Sequence, residues 1–509
     1  MNNHREDSLK NRFTYRVVKI LSSIKFFYVT IFIFILECIW IAFSALYPQA
    51  FDENFHFGLI KVYSHYWLPF LTQQPPNTSQ YSALTRDPSY LYHYLMSFPY
   101  RFIALFVHSM DLRVIIIRLI DSLLFIWAII LFRKLLLKIG LSKSLTNLTF
   151  FLFILIPIVP QLAAQVNYDD LLILLVAWLF LQTFNIIDQI KIKKVSFRSL
   201  SILFISGTLT CLVKYAFAPI LFGIILFLLL YARRKFDYSF KNFLKEFKKS
   251  FNSTSLIQRI ILIFFIVLSI GLFAQRDGYN LIKYHSFAPD CSKVLSVKEC
   301  RAYSPWQVDY DRHQLIVEHI TFANMNIVNY THQWFYWMWY RLFFAVNGLA
   351  SNFYSFPPLP LPSIAALGIM VIGIYSFIRQ RKKLLKNPYI VMLLTACGIY
   401  LLSLFIKSLA TYHYTAYLEN MNGRYLLPIL LPLGGIIGLA ISLEFYKKPI
   451  RKALLAVLVV LLFLEGGGVI TFIIRSDNSW YWPNSTVKKV NDDAKKITRH
   501  TLIRIRKSD

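Results

Sequence analysis

Long apolar runs alternate with short polar segments from one end of the chain to the other. Each run has about 17–25 residues, which is the length of a helix that crosses the hydrocarbon core of a bilayer. The pattern therefore predicts an all-α polytopic membrane protein with about eleven transmembrane helices. The predicted spans cover about residues 25–47, 113–132, 145–163, 170–187, 199–213, 215–231, 258–275, 361–378, 389–408, 425–444 and 453–474.

A further apolar and aromatic segment follows Pro88 and ends near residue 108. Because Pro99 interrupts it and aromatic side chains favour the bilayer surface, we predict a helix that lies in the interface. The alternative is a true span, which would invert the orientation of every later segment.

Lys and Arg cluster in the segments between alternate spans, as in the cytoplasmic loops of multi-pass proteins. This charge pattern predicts a cytoplasmic N-terminal segment (1–24) and a transmembrane module (25–474). Two large outer loops, at about 48–112 and 276–358, belong to that module. The C-terminal tail (475–509) is predicted on the outer face, although its many basic residues depart from the rule.

The 509-residue chain is 56% hydrophobic with a mean hydropathy of +0.50, which excludes an ordinary soluble protein. The net charge of +29 lies between apolar runs, so it indicates membrane topology and not nucleic-acid binding. The cysteines form no metal-binding framework. Cys291 and Cys300, in the second outer loop, are predicted to form a disulfide if that side is oxidising. Cys38, Cys211 and Cys397 fall in or beside spans and are predicted to pack there.

Four groups of polar residues fall at the predicted outer membrane boundary. Carboxylates are costly in hydrocarbon, so such residues lie outside the core or line a wet cavity. Acids and bases gathered at one depth indicate a site for an anionic, membrane-embedded ligand, with Lys and Arg on phosphate oxygens and a carboxylate as base. The groups are Asp52, Glu53 and His56; Asn167, Asp169 and Asp170; Lys214 and Arg276; and His413, Glu419, Asn422 and Arg424.

Each group also has a purely structural interpretation. The first is equally an acidic polar loop. Asp169 and Asp170 suit the first turn of a helix, where carboxylates favour the helix dipole. Lys214 can snorkel to the interface, and Arg424 can anchor a helix end.

Short motifs follow one another in a distinctive order along the chain. They are Asp52-Glu53 with Phe55-His56, Pro88-Ser89-Tyr90-Leu91-Tyr92, Asn167-Tyr168-Asp169-Asp170, Lys214-Tyr215 and Gly423-Arg424-Tyr425-Leu426-Leu427-Pro428. Over about residues 25–445, this order resembles the glycosyltransferase-C superfamily, and most closely a bacterial branch of poorly characterised members. The pair Cys291 and Cys300, followed by Tyr303-Ser304-Pro305-Trp306, also resembles that branch.

The resemblance implies an integral-membrane enzyme that moves a sugar from a polyprenyl-phosphate carrier to a glycan, lipid or protein acceptor. It implies the inner (plasma) membrane, with the active site on the periplasmic or outer face. Asp52 would be the general base of an inverting displacement. Glu53 is the second catalytic candidate, as a residue that orients the acceptor. The implied substrate-binding residues are His56, Asp169, Asp170, Lys214, Arg276, His413 and Arg424.

In members of the superfamily that use a metal, the carboxylates bind a divalent cation. The resemblance therefore implies Mg²⁺ or Mn²⁺ as a possible cofactor here, with Asp52 and Asp169 as ligands and His56 as a ligand or a supporting partner. Lys214 and Arg424 would stabilise the departing lipid phosphate. Since only about 35 residues follow the last span, acceptor recognition is expected in the two outer loops.

Two other functions remain open at this stage. One is a transporter or flippase of a lipid-linked glycan or another anion, which would favour polar residues deep within several spans. Arg118 and Asp121 lie within the second span and, being three residues apart, are expected to pair on one helix face. The other is a polymerase or ligase that joins preassembled glycans.

Overall fold

The computed structural model describes residues 14–49, 52–237, 239–343, 361–446, 448–476 and 478–507. This part of the chain is helical and contains no β-sheet. Nine of its helical segments are long and apolar enough to cross a membrane. They are Ile24–Ser44, Met110–Lys138, Tyr168–Lys191, Tyr215–Lys235, Leu256–Tyr284, Leu361–Leu384, Pro388–Thr415, Gly423–Glu444 and Pro449–Ile474.

The α-helices are numbered here in chain order. They are α1 (Ile24–Ser44), α2 (Glu53–Tyr63), α3 (Leu91–Phe106), α4 (Met110–Lys138), α5 (Lys143–Ile154), α6 (Ile158–Ala163), α7 (Tyr168–Lys191), α8 (Phe197–Val213), α9 (Ala218–Lys235), α10 (Phe240–Ser253), α11 (Leu256–Phe273), α12 (Tyr279–Tyr284), α13 (Val297–Cys300), α14 (Ser304–Val317), α15 (Ile327–Phe343), α16 (Leu361–Leu384), α17 (Pro388–Thr415), α18 (Leu427–Glu444), α19 (Pro449–Leu464), α20 (Val469–Arg475) and α21 (Ser485–Lys507).

The prediction of a multi-pass, all-helical protein is confirmed, whereas the count of eleven spans stays a prediction. The two predicted spans at about 145–163 and 199–213 contain the shorter helices α5, with 12 residues, and α8, with 17. α5 ends at Ile154, and α6 begins just after Pro157, which cannot donate a backbone hydrogen bond. The aromatic segment after Pro88 forms α3, whose 16 residues are too few for a typical span.

Local sequence signals explain where the long helices begin and end. Ser109 caps α4 by accepting from the backbone N–H of Leu112, and Lys138 lies in the last turn of that helix. Asn167 caps α7 by accepting from the backbone N–H of Asp169. A carboxylate at the first turn and a cation at the last both complement the helix dipole.

The core is formed by α4 packed along α7 and by α9 packed along α17. At Gly223 of α9, a Cβ atom would lie 2.7 Å from the Cα of Ala396, so only glycine permits this approach to α17. We call the end of the bundle where α1 ends and α7 begins the site end. The opposite end carries the basic loops, such as the turn after Lys138.

The loop segments gather at the site end. In the second predicted outer loop, Cys291 and Cys300 are joined in a disulfide, and α14 packs against α17. In the C-terminal tail, Asn491 of α21 bonds to Trp40 and Ser44, so the tail lies at the same end as the first loop. Residues 1–13 of the predicted N-terminal segment, 344–358 of the second loop, and 477, 508 and 509 of the tail lie outside the described residues.

Candidate functional site

The turn between α1 and α2 is fixed by a buried ion pair. Glu53 accepts from Arg118 of α4 at 2.7 Å on each carboxylate oxygen, and neither side chain is exposed. The same two oxygens accept the backbone N–H groups of Val166, at 3.0 Å, and Gln49, at 2.6 Å. Arg118 also donates to the carbonyl oxygen of Ala45 at 2.7 Å.

This geometry favours a structural role for Glu53, which the resemblance had suggested as a catalytic residue. A carboxylate has about four acceptor positions, and all four are filled by protein donors. The pair thereby ties the start of α2 to the end of α1, to α4 and to the chain that leads into α7.

Asp52 is held by this anchor and presents its own carboxylate to the site. Its backbone is left-handed, with φ at 68°, a conformation that aspartate tolerates better than most residues. Its carboxylate lies 2.9 Å from Nη2 of Arg424. The Asp52 side chain is 55% exposed and that of Arg424 only 8%, so the carboxylate faces solvent while the guanidinium is buried behind it.

A second ion pair lies beside the first. Nζ of Lys214, which caps the end of α8, lies 2.5 Å from Oδ1 of Asp169, and both side chains are buried. The same Nζ lies 4.4 Å from the ring centre of Tyr168 and 5.2 Å from that of Tyr425. The guanidinium carbon of Arg424 is also 5.2 Å from the Tyr425 ring, so this tyrosine joins the two pairs.

The four charged residues Asp52, Asp169, Lys214 and Arg424 are called the ion-pair cluster below. They come from four distant parts of the sequence and meet at the site end of the bundle. No protein-family model, curated protein or solved structure matches this chain. The resemblance to the glycosyltransferase-C superfamily therefore stays a prediction, and the function has to be inferred from the site itself.

A stacked histidine pair lies next to the cluster. Nδ1 of His56 is 2.9 Å from Nε2 of His93, and the two rings are nearly parallel. The ring centre of His56 lies 4.4 Å from that of Tyr168. Burial, together with His93 and the nearby Arg424 and Lys214, holds the pKa of His56 well below its usual range. Burial also lowers the pKa of His93 to about 3. Both rings are therefore neutral at pH 7, which suits a support for the cluster.

A buried acidic pair lies at the start of α7, next to the cluster. Asp170 is fully buried near Asp121 of α4, and neither of its carboxylate oxygens has a hydrogen-bond partner among the described residues. Tyr92 donates to Asp121 at 2.7 Å. The expected pairing of Arg118 with Asp121 is wrong. A buried guanidinium needs several acceptors, and Arg118 finds them in Glu53 and in carbonyl groups at the end of α1.

Two predicted substrate-binding residues have no contact with the cluster, whereas His56 and Asp170 lie next to it. Arg276 is fully buried and donates to the carbonyl oxygens of Leu84, at 2.7 Å, and Pro69, at 3.3 Å. It therefore holds the first loop in place. His413 is exposed near the end of α17, where its ring faces Tyr412. Both predictions assumed that residues at one depth share one site, but depth says nothing about position around the bundle.

An apolar cavity of about 680 Å³ opens beside the cluster, between α8, α9, α11 and α17. We call it the first cavity. Tyr215, the residue after Lys214, lines it. Tyr400 also lines it, and its hydroxyl donates to the carbonyl oxygen of Tyr425 at 2.9 Å. Lys407 of α17 and Asp277 add one cation and one carboxyl group to a lining that is otherwise almost entirely apolar. The cavity therefore joins an apolar space to the charged site.

Sequence reasoning missed several residues of the site. Lys407 is a single cation within an apolar run, and His93 lies in an aromatic segment, so neither stood out. Tyr303 belongs to one of the motifs but carries no predicted role, although its ring is 5.8 Å from that of Phe55 and burial, together with the nearby Asp52, raises its pKa. One sequence signal for aromatic residues in the site was available: Tyr168 precedes Asp169, and Tyr425 follows Arg424.

The predicted metal ligands do not fit a divalent cation in this arrangement. Asp52 is bonded to the guanidinium of Arg424, and Asp169 to the ammonium of Lys214. Two protein cations thus lie where Mg²⁺ or Mn²⁺ would have to bind, and like charges repel. Among the described residues, no group of three or more His, Cys, Asp or Glu side chains has a metal-binding arrangement.

Proposed function

We propose that this protein is an integral-membrane glycosyltransferase. It moves a sugar from a polyprenyl-phosphate carrier to an acceptor hydroxyl. The observation that supports this proposal is the ion-pair cluster of Asp52, Asp169, Lys214 and Arg424 beside the first cavity. A lipid-phosphate sugar has an apolar tail, an anionic phosphate and a polar sugar. The cavity suits the tail, the two cations suit the phosphate, and the exposed carboxylate suits the sugar and its acceptor.

The donor would bind with its apolar tail in the first cavity. Tyr215 and Tyr400 lead from that cavity to Lys214 and Tyr425, so a phosphate at the inner end of the tail reaches the cluster. Burial of apolar surface contributes roughly 25 cal/mol for each Å² removed from water, although a tail that leaves lipid gains less. The cavity therefore selects and orients the donor more than it adds affinity.

Asp52 would act as the general base. Its carboxylate is half exposed, and Arg424 fixes one oxygen, so the other can accept a proton from the acceptor hydroxyl. As that proton leaves, the acceptor oxygen attacks C1 of the sugar and the bond from C1 to the phosphate oxygen breaks. The products are a glycosylated acceptor, a lipid phosphate and a protonated Asp52. A single displacement of this kind inverts the configuration at C1.

Lys214 and Arg424 would stabilise the departing phosphate. Negative charge grows on the phosphate oxygen as its bond to C1 breaks, and cations held in place beforehand lower the barrier of such a step. Both cations are buried and oriented by carboxylates and by Tyr425. This preorganisation is the physical basis of the proposed transfer.

The test is Asp52→Asn in purified, reconstituted protein with a polyprenyl-phosphate sugar and a panel of hydroxyl acceptors. We expect turnover to fall about 10²–10⁴-fold, the usual contribution of a general base, while donor binding stays within a few-fold. Asp111→Asn, an exposed carboxylate at the start of α4, is the control and should keep full turnover. Full turnover in the Asp52 variant would remove Asp52 from the mechanism.

A transporter of lipid-linked glycans is the second candidate, because Asp121 and Asp170 are buried polar residues within two long helices. Transport predicts that proteoliposomes move the lipid-linked sugar across the bilayer with its phosphate bond intact. Movement of intact donor by the wild type, with no transfer to any acceptor, would favour transport over the proposed enzyme.

A further inference from the structure

A second apolar cavity, of about 460 Å³, lies on the other side of the cluster. It runs between α5, α15, α16, α18 and α19, with Lys452 and Leu145 at the far end and Leu342 and Leu426 at the site end. Leu401 of α17 lines the second cavity, whereas the preceding Tyr400 lines the first. α17 therefore contributes to the walls of both cavities. Each cavity also has a lining residue next to the polar site, Tyr215 beside Lys214 in the first and Leu426 beside Tyr425 in the second.

The second cavity reaches the cluster through a tight contact. Gly423 precedes Arg424, and a Cβ atom at Gly423 would lie 2.6 Å from the backbone nitrogen of Leu342. Only glycine fits here without a shift, so the Gly423–Leu426 turn lies directly on the end of α15. Leu342 and Leu426 belong to both the contact and the cavity wall. A molecule in this cavity thus ends within a few residues of Arg424.

One cationic residue, Arg341, lies next to the site end of the second cavity, and Lys452 lines the far end. Arg341 precedes the lining residue Leu342 and is partly buried, and its carbonyl carbon would lie 2.9 Å from a Cβ atom at Gly423, the residue before Arg424. Two guanidinium groups close together favour an anion between or beside them, since each repels the other's charge. The apolar walls face a bilayer in which phospholipids are the most concentrated apolar molecules, and mass action favours them as the occupant.

We propose that the second cavity binds an anionic phospholipid, and that this lipid is the acceptor of the proposed transfer. One acyl chain lies along α18 and α19, the phosphate meets Arg341, and a headgroup hydroxyl faces Asp52. The oxygen of that hydroxyl forms the new bond to C1 of the sugar, its proton passes to Asp52, and the lipid phosphate of the donor leaves. Binding depends on the cavity alone, whereas the acceptor role rests on the proposed function.

The binding test uses photoactivatable phosphatidylglycerol, with a diazirine in one acyl chain, and full-length protein in nanodiscs. We expect the label on peptides from α5, α18 and α19. Ala456→Phe fills the cavity wall and should lower labelling about tenfold, as should Gly434→Phe from the facing helix. Leu458→Phe, an exposed position on α19, is the matched control and should leave the label unchanged. Equal labelling of all these variants would overturn the site.

The charge test compares phosphatidylglycerol with phosphatidylcholine carrying the same diazirine. We expect Arg341→Gln to lower labelling by phosphatidylglycerol about tenfold, the size expected for a lost charged hydrogen bond, and to leave labelling by phosphatidylcholine unchanged. Lys452→Gln, at the far end of the cavity, should change neither. Unlabelled lipids are then tested as competitors of the photolabel. If polyprenyl phosphate competes more strongly than phosphatidylglycerol does, the cavity binds a second polyprenyl lipid and the proposal is overturned.

The acceptor test adds a radiolabelled donor and follows a new glycolipid. Glycolipid formed by the wild type, and lost in Ala456→Phe while donor binding persists, is the expected result. Turnover onto other hydroxyls but not onto phosphatidylglycerol would overturn the acceptor role and leave the transferase intact. Photolabelling of the cavity without turnover on any acceptor would instead count against the proposed function, so the two failures are distinguishable.

Discussion

Replacing Arg118 by methionine removes the counter-charge of a fully buried carboxylate. Glu53 would lose both of its 2.7 Å bonds to the guanidinium and keep the two backbone N–H donors of Val166 and Gln49. A buried pair broken on one side costs about 3–5 kcal/mol, because the remaining charge stays buried without compensation. We therefore expect the free energy of unfolding to fall by about that amount.

The double variant Glu53→Gln with Arg118→Met separates charge from packing. Removing both charges leaves neutral groups of similar size, and replacement of a whole buried pair is often close to neutral. We expect the double variant to recover at least half of the loss. The assay is unfolding by denaturant in mixed micelles, followed by tryptophan fluorescence and analysed by linear extrapolation.

Lys138→Met supplies the control from the same helix. Lys138 pairs with Asp188 at 2.8 Å, but these side chains are 29% and 45% exposed, so the pair contributes less than about 1 kcal/mol. If Arg118→Met cost no more than Lys138→Met, the assignment of Glu53 and Arg118 as the anchor of the α1–α2 turn would be refuted.

Three further predictions follow from the same site. Lys214→Met should weaken donor binding and slow turnover, each about tenfold or more, measured with the polyprenyl-phosphate sugar, because the leaving phosphate loses a cation. His93 is neutral in the fold with a pKa of about 3 and titrates near 6.5 when unfolded, so it makes stability fall by up to about 1.4 kcal/mol for each pH unit as pH drops through that window. Because the buried His56 acts in the same direction, His93→Phe should make the curve measured by denaturant unfolding less steep without making it flat. Reduction of Cys291–Cys300 should raise proteolysis of the 285–303 segment, followed by mass spectrometry, and leave the unfolding of the helical bundle unchanged.

The hydrophobic pattern predicted the architecture because a bilayer imposes one length on every span. It does not show that the run at about 145–163 is divided into α5, which ends at Ile154, and α6, which begins after Pro157, or that α8 has only 17 residues. The pattern also had no means of finding the two cavities. The cavities depend on how α17 is placed between neighbouring helices. The local sequence does not predict that placement.

The four cluster residues were predicted from their depth at one boundary, and the aromatic residues beside them were not. The depth of a residue in the membrane can be predicted from the sequence because charged residues end apolar runs. The position of a residue around the helical bundle cannot be predicted in this way. For that reason Arg276 and His413 were grouped with residues that they do not contact. Glu53 illustrates a further limit. Both adjacent carboxylates were predicted to be catalytic, and only the structure shows that Glu53 is saturated by Arg118 and two backbone donors while Asp52, paired with Arg424, is 55% exposed.

The charge balance of the cluster bears on the order of events in the proposed transfer. Two carboxylates face two cations, so the site is close to neutral before a donor arrives. A phosphate that approaches Arg424 competes with Asp52, whose side chain is 55% exposed, more easily than it competes with Asp169, which is 4% exposed at Lys214. Because a solvated carboxylate loses less when its partner is taken, Asp52 is the one released. Donor binding would thereby free the second Asp52 oxygen as well, so that the whole carboxylate is available to the acceptor hydroxyl when the sugar is in place.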